Sequence, residues 1–288
     1  MLIDAILDGK IEGVAGFMPE LPEVEIARRA VAQLLEGKKV SGIVARTVRL
    51  RIPVQADLIE ELPGHIILKL ERRSKYLLLR ANSGTVIIHL GMSGNLIIVP
   101  SATPPAKHDH LDFILETGMT LRLTDPRRFG LALWTKGEPL DHPLLKGLGP
   151  EPLEEGFNGD YLFHKSRGRT VAVKQFVMDG HVVAGVGNIY ASEALFRAGI
   201  HPAGHAGGIS RNRYRRLADA IRDVLNEAIA QGESTLGDFH DSKVNHGYFP
   251  IRLDIYGRDG EPCHGCGASI QLIRQGGRST YFCKKCQR

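Results

Sequence analysis

The sequence predicts an α+β protein, with an N-terminal antiparallel β-sandwich, a helical region after it and a C-terminal zinc ribbon. Short apolar runs separated by turn residues recur about every 8–12 residues in the first half, which is typical of a sandwich. A long amphipathic pattern in the second half indicates a helix. All four cysteines lie in the last 26 residues as two close pairs, a pattern typical of a zinc site.

The composition indicates an ordinary folded protein with an excess of positive charge. The chain has 288 residues, 43% of them hydrophobic, with a net charge of +5 and an isoelectric point near 9.0. A basic balance favours an anionic partner such as a nucleic acid. No run of about 20 apolar residues is present, so we expect no membrane partner. Residues 1–17 hold three acids and one base, which makes them a poor secretory or transit signal.

The first predicted element is a helix over residues 22–36 that flanks the sandwich. Apolar residues recur there at helical spacing, and Gly37 can end the helix. Seven apolar runs then predict seven strands. These runs are residues 66–70, 76–80, 86–90, 96–99, 111–115, 121–123 and 131–134.

The character of the sequence changes near residues 144–152, where a stretch rich in glycine and proline predicts a linker. Beyond it, residues 211–231 have one apolar face at helical spacing, and Gly232 occupies the position expected just past a helix end. These changes predict an extension over residues 1–17 and three domains, at residues 18–150, 151–250 and 251–288.

The cysteines form two C-x2-C pairs separated by 16 residues, Cys263 with Cys266 and Cys283 with Cys286. Four thiolates satisfy the tetrahedral coordination of Zn²⁺ and leave no open position for catalysis. The sequence therefore predicts one structural zinc ion. Between the pairs, residues 269–273 and 279–283 are predicted to form a hairpin around a Gln-Gly-Gly turn.

The stretch MPELPEVE at residues 18–25 contains a potential nucleophile. If translation begins at Met18 and that methionine is removed, Pro19 has a free secondary amine that can attack an electrophilic carbon and form an iminium ion. Glu20 then lies beside the reacting carbon as an acid or base. The structural alternative is a proline in the first turn of a helix, with Glu23 and Glu25 near the positive end of its dipole.

Three further segments contain residues suited to binding DNA or a metal. Residues 185–191, GVGNIYA, form a glycine-flanked turn whose N–H groups can hold a phosphate, although most such turns are only structural. Residues 124–130, TDPRRFG, place an aromatic ring beside cations in a loop. His108 and His110 suggest a metal site, but a single short cluster rarely suffices.

Five separated motifs, in this order, resemble the bacterial formamidopyrimidine-DNA glycosylases, the base-excision enzymes for oxidised purines. The motifs are MPELPEVE, LGMSG, TDPRRFG, VGNIYASE and the paired cysteines, and together they extend from Met18 to Arg288. The resemblance implies a helix–two-turn–helix in the helical region and a zinc finger that binds DNA. It also implies a bifunctional glycosylase and lyase acting on damaged double-stranded DNA, with no redox or nucleotide cofactor. We expect a monomer in the cytoplasm.

The resemblance also implies roles for single residues. Pro19 matches the nucleophile that attacks C1′, Glu20 protonates the opening sugar, and Lys75 contacts phosphate and assists proton transfer. Arg278 matches the zinc-finger arginine that reaches the phosphate beside the lesion. An extruded nucleotide leaves a gap in the duplex that side chains can fill. The implied DNA contacts are the inserting residues Met92, Arg127 and Phe129, the phosphate contacts His108 and Asn188, and the basic positions Arg169 and Lys174.

The sequence departs from the family pattern at its start, because 17 residues precede Met18. An internal Pro19 has an amide nitrogen without a nucleophilic lone pair, so we predict that the mature protein begins at Pro19. Residues 241–248 resemble the segment that closes over the extruded base, although their sequence differs from the commoner pattern.

Three alternative functions remain open. The first is an endonuclease VIII-like enzyme for oxidised pyrimidines, against which PELPEVE and the intact set of Met92, Arg127 and Phe129 argue. The second is a non-catalytic protein that binds damaged DNA if Pro19 stays blocked. The third is a zinc-ribbon regulator that reads undamaged sequence, for which no recognition-helix pattern is found.

Overall fold

A computed structural model describes residues 18–237 and 252–288 of the chain. Three predictions lie outside these residues: the extension over residues 1–17, the boundary between residues 250 and 251, and the segment 241–248.

The described chain enters on a helix, α1 (Leu21–Leu35), close to the predicted bounds. Pro22 lies in its first turn, where no N–H is needed, and Glu23 accepts the backbone N–H of Glu20 over 2.8 Å. Gly37 follows with φ of +77°, a conformation that favours glycine. The local sequence thus determines both ends of α1.

Eight strands form the predicted β-sandwich. They are β1 (Val40–Ala45), β2 (Ile67–Arg73), β3 (Tyr76–Ala81), β4 (Gly84–His89), β5 (Asn95–Pro100), β6 (Asp109–Leu115), β7 (Met119–Thr124) and β8 (Leu131–Thr135). The first sheet has the order β1-β6-β7-β5 and the second β2-β3-β4-β8, and all pairs are antiparallel. The prediction of an antiparallel sandwich is confirmed.

Two elements of this region are absent from the sequence prediction. Strand β1 is one, because Ser41 and Gly42 interrupt its apolar run, and its register with β6 shifts at this point. A helix between β1 and β2, α2 (Ala56–Glu61), is the other. Six residues are too few to show helical periodicity.

The main core of the sandwich combines residues of both sheets with residues of α1. Leu77 of the second sheet and Phe113 of the first are fully buried in it, together with Val24 and later apolar residues of α1. Leu21, the first residue of α1, packs instead in the core of the helical region. Helix α1 is therefore shared between two cores.

The helical region follows the linker and has its own core. Its helices are α3 (Gly159–Ser166), α4 (Val173–Met178), α5 (Asn188–Arg197) and α6 (Arg211–Gly237). The prediction that α6 ends at Gly232 is wrong, because this glycine is buried within the helix. Glycine permits a helix end without imposing one, and an ion pair between Arg29 of α1 and Glu233 holds the next residue. Within residues 18–237 and 252–288, every helix is too short or too polar to span a bilayer.

The linker contacts the structure on both sides. The N–H of Gly149 donates to the carbonyl of Gly180, in the helical region, over 2.8 Å. From the sandwich, Arg73 donates to the carbonyl of Leu148 over 2.9 Å. The predicted linker is thus a fixed connection.

The zinc ribbon contains the predicted hairpin, with strands β9 (Gln271–Gln275) and β10 (Arg278–Phe282). Gly276 and Gly277 form its turn with φ of +54° and +76°, so both positions favour glycine. The prediction of a hairpin around this turn is confirmed.

Glu193 of α5 holds the segment that leads into the ribbon. Its carboxylate accepts the backbone N–H groups of Asp254 (2.9 Å), Ile255 (3.0 Å) and Tyr256 (2.8 Å). The ribbon is therefore docked on the helical region through a buried carboxylate.

Candidate active site and nucleic-acid interface

Pro19 and Glu20 are buried where the sandwich meets the helical region. The Glu20 carboxylate accepts three backbone N–H groups, those of Gly187 (2.8 Å), Ile189 (2.9 Å) and Tyr190 (3.4 Å). These groups lie at the start of α5, where unpaired N–H groups and the helix dipole favour an anion. The turn that was predicted to hold a phosphate therefore binds a carboxylate of the chain itself.

Two glycines permit this close approach. A Cβ at Gly187 would lie 2.3 Å from the carboxylate carbon of Glu20. Gly185 has φ of +79°, and its carbonyl accepts the N–H of Leu21 over 3.1 Å. The amino-terminal stretch and the VGN turn thus fit together only because both positions lack a side chain.

Glu23 is a second buried carboxylate beside Glu20. It accepts the hydroxyl of Tyr190 over 2.6 Å. Burial raises the pKa of Glu23, and the charge of Glu20 raises it further, whereas the hydrogen bond from Tyr190 lowers it. The sequence pointed to Glu23 only as a helix-dipole residue, and the structure adds it to the site.

Lys75 lies in the tight turn between β2 and β3. Ser74, just before it, has φ of +58°, and its N–H donates to the carboxylate of Glu151 over 2.6 Å. Arg72 and Arg73 also donate to Glu151, over 2.6 Å and 2.8 Å. A linker residue that sequence reasoning missed therefore holds the turn that carries Lys75.

The electrostatic surroundings of Lys75 are mixed. Burial lowers the pKa of its ammonium group, the carboxylates of Glu20 and Glu23 raise it, and Arg278 lowers it. The net direction is downward. An amine with a lowered pKa exchanges its proton more readily near neutral pH.

His89, at the end of β4, is a site residue that sequence reasoning missed. Its ring lies 4.8 Å from that of Tyr76, and its Nδ1 accepts the N–H of Gly91 over 2.9 Å. Burial, with the charges of Lys75 and Arg51, lowers the pKa of His89 to about 4. The imidazole is therefore neutral at pH 7 with its proton on Nε2. No motif marks it, because it ends an ordinary apolar strand.

A cavity of about 390 Å³ lies beside His89, next to the amino-terminal stretch. Its lining residues are Met18, Arg51, His89, Gly91, Met92 and Phe129. The residue before Pro19 and two of the predicted inserting residues therefore border one space.

Lys174 joins the helical region to the zinc hairpin. It is buried, and its ammonium group donates to Asn188 (2.6 Å), Thr280 (2.8 Å) and the carbonyl of Ser279 (3.1 Å). Burial lowers its pKa to about 7. Asn188 in turn donates to the hydroxyl of Tyr256 over 3.0 Å. The ammonium group of Lys174 thus donates its hydrogen bonds to acceptors within the protein.

Arg278 is exposed at the start of β10. Its positive charge lowers the pKa of both Lys75 and Lys174, so it lies close to both. A cavity of about 160 Å³ separates the hairpin tip from the helical region and is lined by Lys174, Gln175, Met178, Asp179, Asn188, Gln275, Gly276 and Arg278. The structure therefore brings the predicted catalytic residues and Asn188 together.

Met92, Arg127 and Phe129, named the wedge below, lie on two neighbouring loops. The guanidinium of Arg127 lies 4.9 Å from the ring centre of Phe129, whose side chain is 45% exposed. A Cβ at Gly91 would lie 2.4 Å from the backbone of Phe129, so the loops touch. Asp125, which sequence reasoning missed, accepts hydrogen bonds from both loops.

His108 lies near the wedge, and its carbonyl accepts the N–H of Asp125 over 2.9 Å. Its ring is 6.4 Å from that of His110. In the part of the chain that the structure describes, only the four cysteines cluster as metal ligands, so the histidine metal site finds no support. Arg169 is exposed in the turn after α3, where its carbonyl accepts the N–H of Gly207 over 2.8 Å.

The four cysteines converge as the spacing predicts, with their Sγ atoms within 4.8 Å of one another. The Sγ atoms of Cys263 and Cys286 are 3.9 Å apart, and those of Cys266 and Cys283 are 3.4 Å apart. Sulfur atoms bound to one zinc ion at about 2.3 Å are separated by about 3.8 Å in a tetrahedron. The donor set therefore fits one zinc ion.

Three family models match the chain in succession. The formamidopyrimidine-DNA glycosylase N-terminal domain matches residues 18–132, and the formamidopyrimidine-DNA glycosylase H2TH domain matches residues 148–240. The zinc finger found in FPG and IleRS matches residues 260–288. The predictions of a helix–two-turn–helix and of a zinc finger are confirmed.

Curated relatives match over their entire lengths. The formamidopyrimidine-DNA glycosylases of Geotalea uraniireducens and Geobacter sulfurreducens are 58% and 53% identical to the chain. Each match covers 94% of this chain and 100% of the relative.

Solved structures agree with this result. Lactococcus lactis Fpg in complex with DNA containing an abasic site has a TM-score of 0.84 and 34% identity. MutM in complex with DNA containing carbocyclic 8-oxo-G has a TM-score of 0.84 and 35% identity. Both matches cover 94% of this chain and 100% of the other.

These matches favour neither the endonuclease VIII-like alternative nor the zinc-ribbon regulator. The resemblance carried by the five motifs is confirmed. The chain belongs to the formamidopyrimidine-DNA glycosylase family.

Proposed function

We propose that this chain excises oxidised purines, such as 8-oxoguanine and formamidopyrimidines, from double-stranded DNA and cuts the strand at the abasic site, with Pro19 as its nucleophile. Family membership supports the glycosylase and lyase activities. Relatives solved with abasic-site and 8-oxo-G DNA support the substrate. The observation that carries the assignment of Pro19 is the buried Glu20 carboxylate, held beside it by three N–H groups.

The reaction requires a free amine at Pro19. Its lone pair bonds to C1′ while the N-glycosidic bond breaks and the bonding electrons leave with the base. Glu20, the next residue, protonates the opening sugar. The iminium ion acidifies the adjacent C–H, and loss of that proton starts the β- and δ-eliminations that release both flanking phosphates.

Lys75 and Arg278 bind phosphate beside the lesion. The lowered pKa of Lys75 suits it to proton transfer during elimination. The exposed guanidinium of Arg278 lies on a hairpin docked to the helical region, which suits it to hold a phosphate in a fixed place.

Contacts to the rest of the duplex come from the wedge and from backbone-binding residues. The wedge fills the gap left by the extruded nucleotide, with Arg127 toward the unpaired cytosine. Its members lie together, since Met92 and Phe129 line one cavity and the guanidinium of Arg127 lies over the Phe129 ring. His108, Asn188 and Arg169 contact the sugar-phosphate backbone. Lys174 acts on DNA indirectly, because its hydrogen bonds hold Asn188 and the hairpin.

The mature protein begins at Pro19 in this proposal. The match to the amino-terminal family domain begins at residue 18, and 94% of the chain covers the whole of each curated relative. Initiation at Met18 or removal of the preceding residues would free the amine.

The protein acts as a monomer in the cytoplasm and carries one structural zinc ion. Bacterial relatives and the DNA substrate support this location. A division into domains at residues 18–150, 151–250 and 251–288 is supported by separate apolar cores in the sandwich, helices and ribbon.

Borohydride reduction of the iminium ion tests the proposal. Chains beginning at Pro19 and at Met1 are incubated with duplexes containing 8-oxoguanine opposite cytosine, with borohydride, and intact mass verifies each amino terminus. We expect a covalent protein–DNA adduct only with the Pro19 chain, and none when Pro19 is acetylated. An adduct formed by a chain that retains Met1 would exclude Pro19 as the nucleophile. A duplex containing thymine glycol serves as the pyrimidine comparison and is expected to react more slowly.

A further inference from the structure

The two loops that carry the wedge connect the sheets at the same end of the sandwich. Residues 90–94 lead from β4 to β5, and residues 125–130 lead from β7 back to β8. Strand β4 pairs with β8, with His89 opposite Leu131, and β5 pairs with β7, with Asn95 opposite Thr124. The sheet topology therefore places the two loops side by side.

The carboxylate of Asp125 binds both loops. It is fully buried (0% exposed), and its Oδ1 accepts the hydroxyl of Ser93 over 2.7 Å and the N–H of Arg127 over 3.3 Å. Its Oδ2 accepts the N–H of Gly130 over 2.7 Å. One side chain thus joins the first loop to the beginning and the end of the second.

The backbone of Asp125 is held as firmly as its carboxylate. Its N–H donates to the carbonyl of His108 over 2.9 Å, and its carbonyl is bonded to Nε2 of His110 over 2.9 Å. The same carbonyl accepts the N–H of Arg128, whose φ of +56° turns the chain between Arg127 and Phe129. Asp125 therefore connects the wedge to the start of β6.

The burial of the Asp125 side chain depends on these donors. Among residues 18–237 and 252–288, Asp125 takes part in no ion pair. A buried carboxylate without a cation is stable only when N–H and O–H groups are directed at it. The donors of the two loops therefore stabilise the buried carboxylate of Asp125, and the carboxylate in turn holds the two loops together.

Side chains inserted into a duplex work against the tendency of the bases to restack. The guanidinium of Arg127 can distinguish one opposite base from another only if its hydrogen-bonding groups are held in a fixed direction. Arg127 is itself exposed, so its direction depends on the backbone beneath it.

We propose that Asp125 is a positioning residue that holds both loops as one unit and thereby sets the preference for cytosine over adenine opposite the lesion. This inference rests on the proposed function. Asp125 is buried and acts through Arg127, without contact to the reacting atoms.

The test compares excision of 8-oxoguanine opposite cytosine with excision opposite adenine, using the chain that begins at Pro19. Asp125→Asn keeps the shape of the side chain, but its amide nitrogen cannot accept a hydrogen bond, so in either orientation the N–H of Gly130 or that of Arg127 loses its bond to this side chain. We expect the cytosine-to-adenine rate ratio to fall about tenfold, the size of one lost hydrogen bond to a charged group. Ser93→Ala removes both bonds that the Ser93 hydroxyl makes with the second loop, the one to the Asp125 carboxylate and the one from the N–H of Arg127. It should lower the ratio by a smaller factor, because Asp125 keeps its own bonds from Arg127 and Gly130.

Two controls make the result decisive. Ser101→Ala removes a hydroxyl that bonds to Thr120 elsewhere in the sandwich, and it should leave the ratio unchanged. Borohydride trapping on single-stranded abasic DNA, which has no opposite base, measures how fast each variant forms the covalent adduct independently of base recognition. Failure of the wild-type chain in that trap would refute the proposed function itself.

The positioning role is overturned if the wild type forms the trapped adduct but Asp125→Asn and Ser93→Ala both keep the wild-type ratio. It is also overturned if the rates on both duplexes fall in equal proportion. Should thermal melting show that Asp125→Asn is unfolded, Ser93→Ala alone decides, since it leaves the bonds from Arg127 and Gly130 to the Asp125 carboxylate in place.

Discussion

The carboxylate of Glu20 accepts the N–H of Gly187 over 2.8 Å, although 167 positions separate the two residues. This bond joins the residue next to Pro19 to the start of α5. The surroundings of the proposed nucleophile therefore form only when the sandwich and the helical region are packed together.

We predict that Gly187→Ala abolishes most activity of the chain that begins at Pro19. The new Cβ would lie 2.3 Å from the carboxylate carbon of Glu20 and would displace it. Loss of a positioned acid or base costs about 100-fold or more, so single-turnover excision should fall by at least that factor. Gly208→Ala is the matched control, because a Cβ there meets nothing within 4 Å. Full activity in Gly187→Ala would show that the position of Glu20 is not needed.

A second prediction concerns the pH dependence of stability. The pKa of His89 is about 4 in the folded chain, against 6.5 for the unperturbed side chain. Between these values the unfolded chain binds more protons, so acidification favours unfolding. From about pH 7 to 4.5, this group should lower the free energy of unfolding by about 2 kcal/mol.

Urea unfolding of the wild type and of His89→Gln at several pH values measures this contribution. The variant should lose less stability on acidification than the wild type, because glutamine does not titrate. His205→Gln replaces an exposed histidine and should keep the wild-type dependence. Parallel pH curves for the wild type and His89→Gln would contradict a lowered pKa at His89.

The third prediction is that Lys174→Met loosens the zinc hairpin. The substitution leaves Asn188, Thr280 and the carbonyl of Ser279 without the donor that they share. Unpaired buried groups cost about 1–3 kcal/mol each, partly offset by removal of a buried charge, so a net loss of about 2 kcal/mol is expected. Hydrogen exchange should quicken in β10 and remain slow in β4. Lys165→Met, at an exposed lysine, should change neither.

The fourth prediction concerns the metal. Cys266→Ser removes one of four thiolates, and structural zinc supplies much of the folding free energy of a small ribbon. We expect loss of bound zinc, unfolding of β9 and β10, and weaker binding of damaged DNA, with the sandwich still folded. Zinc analysis and hydrogen exchange measure these effects, and Lys284→Ala, at an exposed residue between two ligands, should retain the ion. A zinc-free variant with a protected hairpin would refute a structural metal.

Elements whose cause is local could be predicted from the sequence. The cysteine spacing contains both the ligands and their arrangement, and seven of the eight strands of the sandwich carry plain apolar runs. Strand β1 could not be found in this way, because Ser41 and Gly42 interrupt its apolar run and the strand is held in the sheet by pairing with β6. Gly232 is misleading for a similar reason, since contacts of α6 with α1 outweigh a local tendency to end the helix.

The same distinction separates the site residues. Glu20 and Lys75 could be identified because they lie in motifs. Asp125, Glu151 and Glu193 could not be given their roles, because each binds a donor from a distant segment, such as the hydroxyl of Ser93 for Asp125 and the backbone N–H of Ser74 for Glu151. Ser74 and Glu151, for example, are 77 positions apart in the sequence. A sequence shows that a carboxylate is present, but the N–H groups it meets are known only from the fold.

Helix α1 begins with Leu21 in one core and continues with Val24 in another. If the polypeptide were severed in the linker, the first fragment would expose Leu21 to water and leave Glu20 without its N–H donors. Neither fragment alone would contain the complete active site, and excision activity would return only when the two fragments reassociate. This scaffold is therefore suited to split-enzyme complementation, in which recovered excision reports that two fused partners have met.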